Sequence, residues 1–266
     1  MSFVPVIPSP GIAGWQFLQR TYDAQFEAFN KSPQLERDTT YFLENIGKVT
    51  SAKDLVDDRR LLSVALGAFG LQDDINNKYF VQKILQDGTK DEKSLANKLA
   101  DERYKKFSEA FGFGPGELRR TGVTLFMKDI AEMNRVQSFE VSVGQQDDSM
   151  RIALFAQREL RELAREDMSN DAKWFTLMAL PPLRSMFETA LGLPKSFGQI
   201  DIDQQKTVFQ ERLRSLTGDE TIDQFNEPEA IEKMTTVYLA RSQISGFGGS
   251  NSPQANALTL LQAAGF

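Results

Sequence analysis

Apolar residues recur along most of this chain at intervals of three and four, the spacing that puts them on one face of a helix. Trp15, Leu18, Tyr22, Phe26 and Phe29 form the first such stripe, and Leu35, Thr39, Phe42, Leu43 and Ile46 form a second that ends at Gly47. Ser51 followed by Asp54 has the form of a capping box, which predicts a third helix from Ala52 to Phe69 without interruption. After a polar turn a fourth helix carries Ile75, Tyr79, Phe80, Ile84 and Leu85, and two more are expected over 94–99 and 102–111. A glycine-rich corner, Gly112, Gly114 and Gly116, leads to a long stripe through Leu125, Phe126, Ile130, Met133 and Val136. Asp147 and Asp148 are placed to cap the next helix, whose apolar face holds Met150, Ala153, Ala156, Leu160 and Leu163. Ser169 to Asp171 cap another, containing Trp174, Phe175 and Met178, and Pro181-Pro182 interrupt it. Strand signals are almost missing: Val141-Ser142-Val143 is the one β-branched patch, and it ends a helical pattern.

One phrase organises the rest. Leu61 to Leu71 returns as Leu183 to Leu193, with Ser63 on Ser185, Val64 on Met186, Ala68 on Ala190 and Gly70 on Gly192. Further on, Val81 to Leu85 corresponds to Phe209 to Leu213, and Tyr104, Phe107 and Phe111 correspond to Ile231, Met234 and Tyr238. Such self-similarity predicts an internal duplication. The expected fold is all-α, a multi-helix orthogonal bundle built from two related six-helix halves. Residues 12–243 are read as one helical domain with halves at 12–113 and 117–243. Pro5, Pro8 and Pro10 make residues 1–11 an extended arm, and the glycines and serines after Ser245 make 244–266 a flexible linker with a short docking segment.

Composition then narrows the function. The 266 residues contain no cysteine and no histidine. Disulfides, thiolate nucleophiles, imidazole bases and imidazole or thiolate metal ligands are thereby excluded. A net charge of −6 argues against nucleic acid as a partner, because phosphate contacts need a concentrated basic face. No apolar run reaches the length of a transmembrane helix, and Met1 to Pro8 lack the form of a secretory signal, so cytoplasmic synthesis is expected.

Candidate chemistry meets a plain alternative at each place. Gly47-Lys48 and Thr50 resemble the end of a phosphate loop, but Phe42 stands where the first loop glycine belongs. Asp201-Ile202-Asp203 starts like a calcium loop, yet Gln205 and Thr207 continue it, which favours a helix cap. The pairs Asp57-Asp58 and Asp73-Asp74 have the residue type for acid and base work, and equally for caps. Most of the 20 phenylalanines lie on helical stripes and are assigned to the core. Phe247, Leu258, Leu260, Leu261 and Phe266 do not, and are the partner-docking candidates. No catalytic, cofactor-binding or metal-binding residue is assigned, and no cofactor is expected.

Several phrases carry a resemblance. Ile46-Gly47-Lys48-Val49-Thr50-Ser51 with Asp54-Leu55, Ala68-Phe69-Gly70-Leu71, Asp101-Glu102-Arg103-Tyr104, Ala110-Phe111-Gly112-Phe113, Arg151-Ile152-Ala153-Leu154 and Ala190-Leu191-Gly192-Leu193-Pro194 are together similar to the family called domain of unknown function 1217. The similarity covers most of the chain up to about Arg241. It implies a helical protein of alphaproteobacterial type, whose genes often lie among flagellar genes, with no catalytic residues to carry over. The expected function is therefore non-enzymatic: a protein-interaction protein, an accessory or assembly factor of the bacterial flagellum, with protein partners or self-association. The alternative is a small-ligand binding protein or carboxylate-based hydrolase with its site between the two halves.

Overall fold

The computed structural model describes residues 3–250. Among them there are thirteen α-helices and no strand. Two compact units result, Met1–Val6 with Arg20–Gln145 and Ile7–Gln19 with Gln146–Phe266. Within each, the helices pack in an orthogonal arrangement.

Residues 3–10 are non-helical, as three prolines require, and the amide of Gln25 grips this arm on both sides. Val6 N donates to Gln25 Oε1 at 2.6 Å, and Gln25 Nε2 donates to Val6 O at 3.2 Å. Helix α1 (Gly11–Asn30) follows, then α2 (Pro33–Asn45), which has Pro33 in its first turn where no amide hydrogen is needed. The capping box forms as expected: Ser51 accepts from Asp54 N, and Asp54 accepts from Thr50 and Ser51 amides. The phosphate-loop resemblance dissolves here, since Thr50 Oγ1 also donates to Asp54 and Lys48 Nζ donates to Asn45.

The predicted third helix is in fact two. Chain direction changes at Asp58, between α3 (Ala52–Asp57) and α4 (Arg59–Ala68). Asp58 sits at φ −89°, ψ 101° and accepts from the amides of Arg60 and Leu61, so its side chain starts the second helix as it ends the first. Tyr41 Oη donates to the same carboxylate at 2.7 Å. The adjacent acids are thus structural, Asp58 as a cap and Asp57 paired with Lys53. A 3-10 segment, Gln72–Asn76, then takes Ile75 out of the fourth predicted helix, which starts at Lys78 instead (α5, Lys78–Asp87), and Tyr79 turns 83% exposed. Asp74 of that segment accepts the phenol of Tyr104 at 2.6 Å.

Helices α6 (Leu95–Lys98), α7 (Glu102–Phe111) and α8 (Thr124–Gly144) complete the first unit. The glycine-rich corner between α7 and α8 is a stitched connector. Glu117 accepts from Thr89 N at 2.6 Å and from Gly114 N at 3.2 Å, while Thr121 donates to Val49 O at 2.8 Å. Helix α8 belongs to this unit because it lies on α4: Met127, Ile130, Ala131 and Asn134 are buried, and a methyl group on Gly67 would stand 2.1 Å from Asn134 Oδ1. The shared core holds Phe42, Leu55, Leu62, Leu66, Ile84, Leu85, Phe107 and Phe111, all fully buried or nearly so. The β-branched patch at Val141 is the last turn of α8.

In the second unit, α9 (Asp148–Arg165) starts on the Asp147 cap and α10 (Asn170–Ala179) on Ser169, as the sequence implies. Leu180 breaks the chain at φ −100°, ψ 104°, and α11 (Pro181–Ala190) begins with two prolines in place of a side-chain cap. The break expected only here is therefore present at Asp58 as well, with nearly the same backbone angles. Gly70 and Gly192 both close their helices at φ 68°, and the leucines after them bond back to the last turn, Leu71 N to Leu66 O at 2.9 Å and Leu193 N to Glu188 O at 2.8 Å. Asp201 caps α12 (Ile202–Thr217) by accepting from Asp203 N and Gln204 N, which answers the calcium-loop resemblance.

Helix α13 (Pro228–Ser250) extends through Gly246, Gly248 and Gly249. The core of this unit is aromatic: Trp174 stacks on Phe209 at 5.9 Å and meets Phe187 edge-on at 5.8 Å, and Phe225 packs against Phe187 at 5.8 Å. Buried Lys173 is held by Ala164 O at 2.7 Å and Asp223 at 2.6 Å, which ties the end of α9 to the segment before α13. No helix among the described residues is long and apolar enough to cross a membrane.

Replacing Asp58 by Ala should remove two amide bonds and the Tyr41 bond, lowering stability by about 1–2 kcal/mol in urea unfolding. Burial pushes the Asp58 carboxyl up, but hydrogen bonds from Leu61 N, Tyr41 and Arg60 N outweigh it and hold the group below its ordinary 3.8. Its contribution is then complete above pH 3.8 and lost as pH falls through the lowered value, so the gap between wild type and Asp58→Ala should close in acid.

Candidate functional site

Three mutually packed helices of the second unit, α9, α11 and α13, leave a cleft of about 650 Å³ beside the start of α1. Each supplies two lining residues one turn apart: Asp148 and Ile152 from α9, Ser185 and Thr189 from α11, Tyr238 and Ser242 from α13. Spacing by four keeps both members of a pair on one helix face. Asp147 and Ser149 line it at the mouth of α9, and Gln243 closes it against Pro10 and Gly11. Gly11 has φ 69°, a left-handed conformation that favours glycine, and it lies close enough to Gln243 that a methyl group there would meet the side-chain Oε1 at 2.4 Å.

The chemistry is that of hydroxyls and carboxylates. Ser149, Ser185, Thr189, Tyr238 and Ser242 bring hydroxyl groups, and Asp147 and Asp148 bring negative charge. Asp147 is partly committed, since it accepts from Ser149 N at 3.0 Å and Ser149 Oγ at 2.5 Å. Tyr238 is 3% exposed. Burial first, then the charges of Asp148 and Asp147, push its phenol above the ordinary 10.0, and a hydrogen bond with Ser242 opposes them only partly. It is a neutral hydroxyl at physiological pH. Among the described residues no group of three or more acidic side chains is placed to hold a metal ion.

Phe247 falls within α13 in a stretch whose side chains are not described, and Leu258, Leu260, Leu261 and Phe266 lie outside the described residues. In sequence the cleft residues look like caps or stripe positions. Their visible signal is the pair of polar i, i+4 couples, Ser185 with Thr189 and Tyr238 with Ser242, on helices whose apolar faces dominate the pattern.

Fold and cleft together define an all-helical protein with a hydroxyl-lined concavity. The family model described as protein of unknown function (DUF1217) matches residues 68–231, and the chain belongs to that family. The Gly70 and Gly192 phrases fall inside the matched stretch, whereas Ile46 to Asp54 precedes it. A crystal structure of a protein from Agrobacterium tumefaciens is similar over 91% of this chain and 99% of that one, at 24% identity with a TM-score of 0.72, which establishes a shared fold. No curated protein matches.

Because the folded state keeps Tyr238 protonated where the unfolded chain releases the proton, its contribution to stability is full below pH 10.0 and declines as pH rises further. Tyr238→Phe should therefore lose less stability than wild type between neutral and strongly alkaline pH, measured by urea unfolding across that range.

Proposed function

We propose that this chain is a small-molecule binding protein whose site is the cleft among α9, α11 and α13. The observation that carries this reading is the convergence of hydroxyls from three different helices on one concavity of about 650 Å³. Ligand sites commonly span about 300–1,000 Å³ and place a few polar groups around a shaped volume. A merely solvated face would present such groups on one helix. Binding without turnover suits the groups present: Tyr238 holds its proton firmly and Asp147 is occupied at its cap. The internal duplication fits the same picture, supported by the matched closures at Gly70 and Gly192 and the matched breaks at Asp58 and Leu180.

A second reading, contact with other proteins, is supported by a different observation. Leu118 and Leu125 are 85% and 73% exposed and flank the basic pair Arg119-Arg120. Exposed apolar side chains of this size are surface that a protein partner can cover. A flagellar partner is what the family resemblance implies.

Thermal unfolding of the full chain against a library of small polar compounds tests the first reading. A true ligand at about 100 times its Kd raises stability by about 2.7 kcal/mol, and Ser185→Phe, which fills the cleft from an exposed position, should abolish the shift. A library without a single stabilising compound would sink it. For the second, joint Leu118→Asp and Leu125→Asp substitution should lower recovery of partner proteins in pull-downs; unchanged recovery would remove its support.

A further inference from the structure

The charge around the cleft is one-sided. Asp147 and Asp148 line it, and among the described residues no lysine or arginine does. Among the described residues no hydrogen bond or ion pair takes up the Asp148 carboxylate, and the side chain is exposed at the cleft. An anion would enter against both charges, at a cost no lining group offsets. A neutral polyol would satisfy hydroxyls and leave the charges as they were. A protonated amine does more: an ammonium has three donors and no acceptor, and the cleft offers a free carboxylate together with hydroxyl oxygens one turn apart on α11. Ile152 gives the same space an apolar wall for a methylene chain.

We infer that, given the binding reading above, the cleft takes a small aliphatic amine, with one ammonium on Asp148 and the hydroxyls of Ser185 and Thr189. Burial is the first cause of the raised Tyr238 phenol, and the charges of Asp148 and Asp147 add to it, which places both carboxylates close enough to act on a group inside the cleft.

Calorimetric titration of the full chain with diaminobutane, butanediol and succinate tests this, since all three are built on a four-carbon chain and carry ammonium, hydroxyl or carboxylate ends. The diamine should bind at least tenfold more tightly than either of the others. Asp148→Asn should weaken it at least tenfold, and Thr189→Val, nearly isosteric, should weaken it measurably, both with unchanged circular dichroism. If butanediol or succinate binds as well as the diamine, the ligand class is wrong and the site stands. If the diamine binds Asp148→Asn as tightly as wild type, it is held by general surface charge and the inference fails. If no member of the trio binds while a library compound stabilises the protein and loses its effect in Ser185→Phe, the amine assignment alone falls. If nothing stabilises it at all, the binding reading falls with it.

Discussion

The backbone break ahead of α4 and α11 is the constraint on which the packing rests. A straight helix across Asp58 or Leu180 would carry its apolar residues away from the neighbouring helices along one axis. Turning at ψ near 100° lets the short helix before the break and the helix after it pack into the same core. Two unlike devices enforce the turn. Asp58 does it with a carboxylate that satisfies two free amides, and Pro181 does it by having no amide to satisfy and by disfavouring helical geometry at Leu180.

The helices beyond the two breaks are covered differently, and the difference opens the cleft. In α4 seven of ten residues are buried, and a methyl group on Gly67 would run into the Asn134 side chain of α8 unless that side chain moved. In α11 four of ten are buried, with Ser185 exposed and Thr189 half-buried. The place that Gly67 holds on α4 in the aligned phrases is held by the hydroxyl of Thr189 on α11. Polar side chains there are compatible with a water-filled or ligand-filled space and would be costly under an apolar cover. Positions aligned in the two sequence phrases thus serve close packing in one unit and a polar concavity in the other.

Much of the fold is legible in the sequence because helical stripes, caps and closing glycines are local signals. The Ser51 box, the Asp147, Ser169 and Asp201 caps and the Gly70 and Gly192 closures all form at the residues that announce them. The Asp58 break is hidden because an aspartate inside an apolar-periodic run looks like a solvated position. Tyr79 falls on a core face by spacing alone, because the 3-10 segment before it, which shifts the helical phase, has no clear sequence mark. The cleft is least visible: Asp148, Ser185 and Tyr238 are far apart in the chain, and only tertiary packing makes them neighbours. Tyr238 even passes for an apolar position, on the strength of its alignment with Phe111.

The stitched corner between α7 and α8 decides how the gene can be cut. Pro115 looks like a seam, since it lies among glycines between two repeated phrases. A fragment ending there would be deprived of α8 and would present Leu62, Leu66 and their neighbours to water as a sticky surface. Glu117 and Thr121 would go as well, leaving Thr89 and Val49 without their partners. Anyone expressing the amino-terminal part separately should therefore extend it through Gln145, and should expect the shorter piece to precipitate.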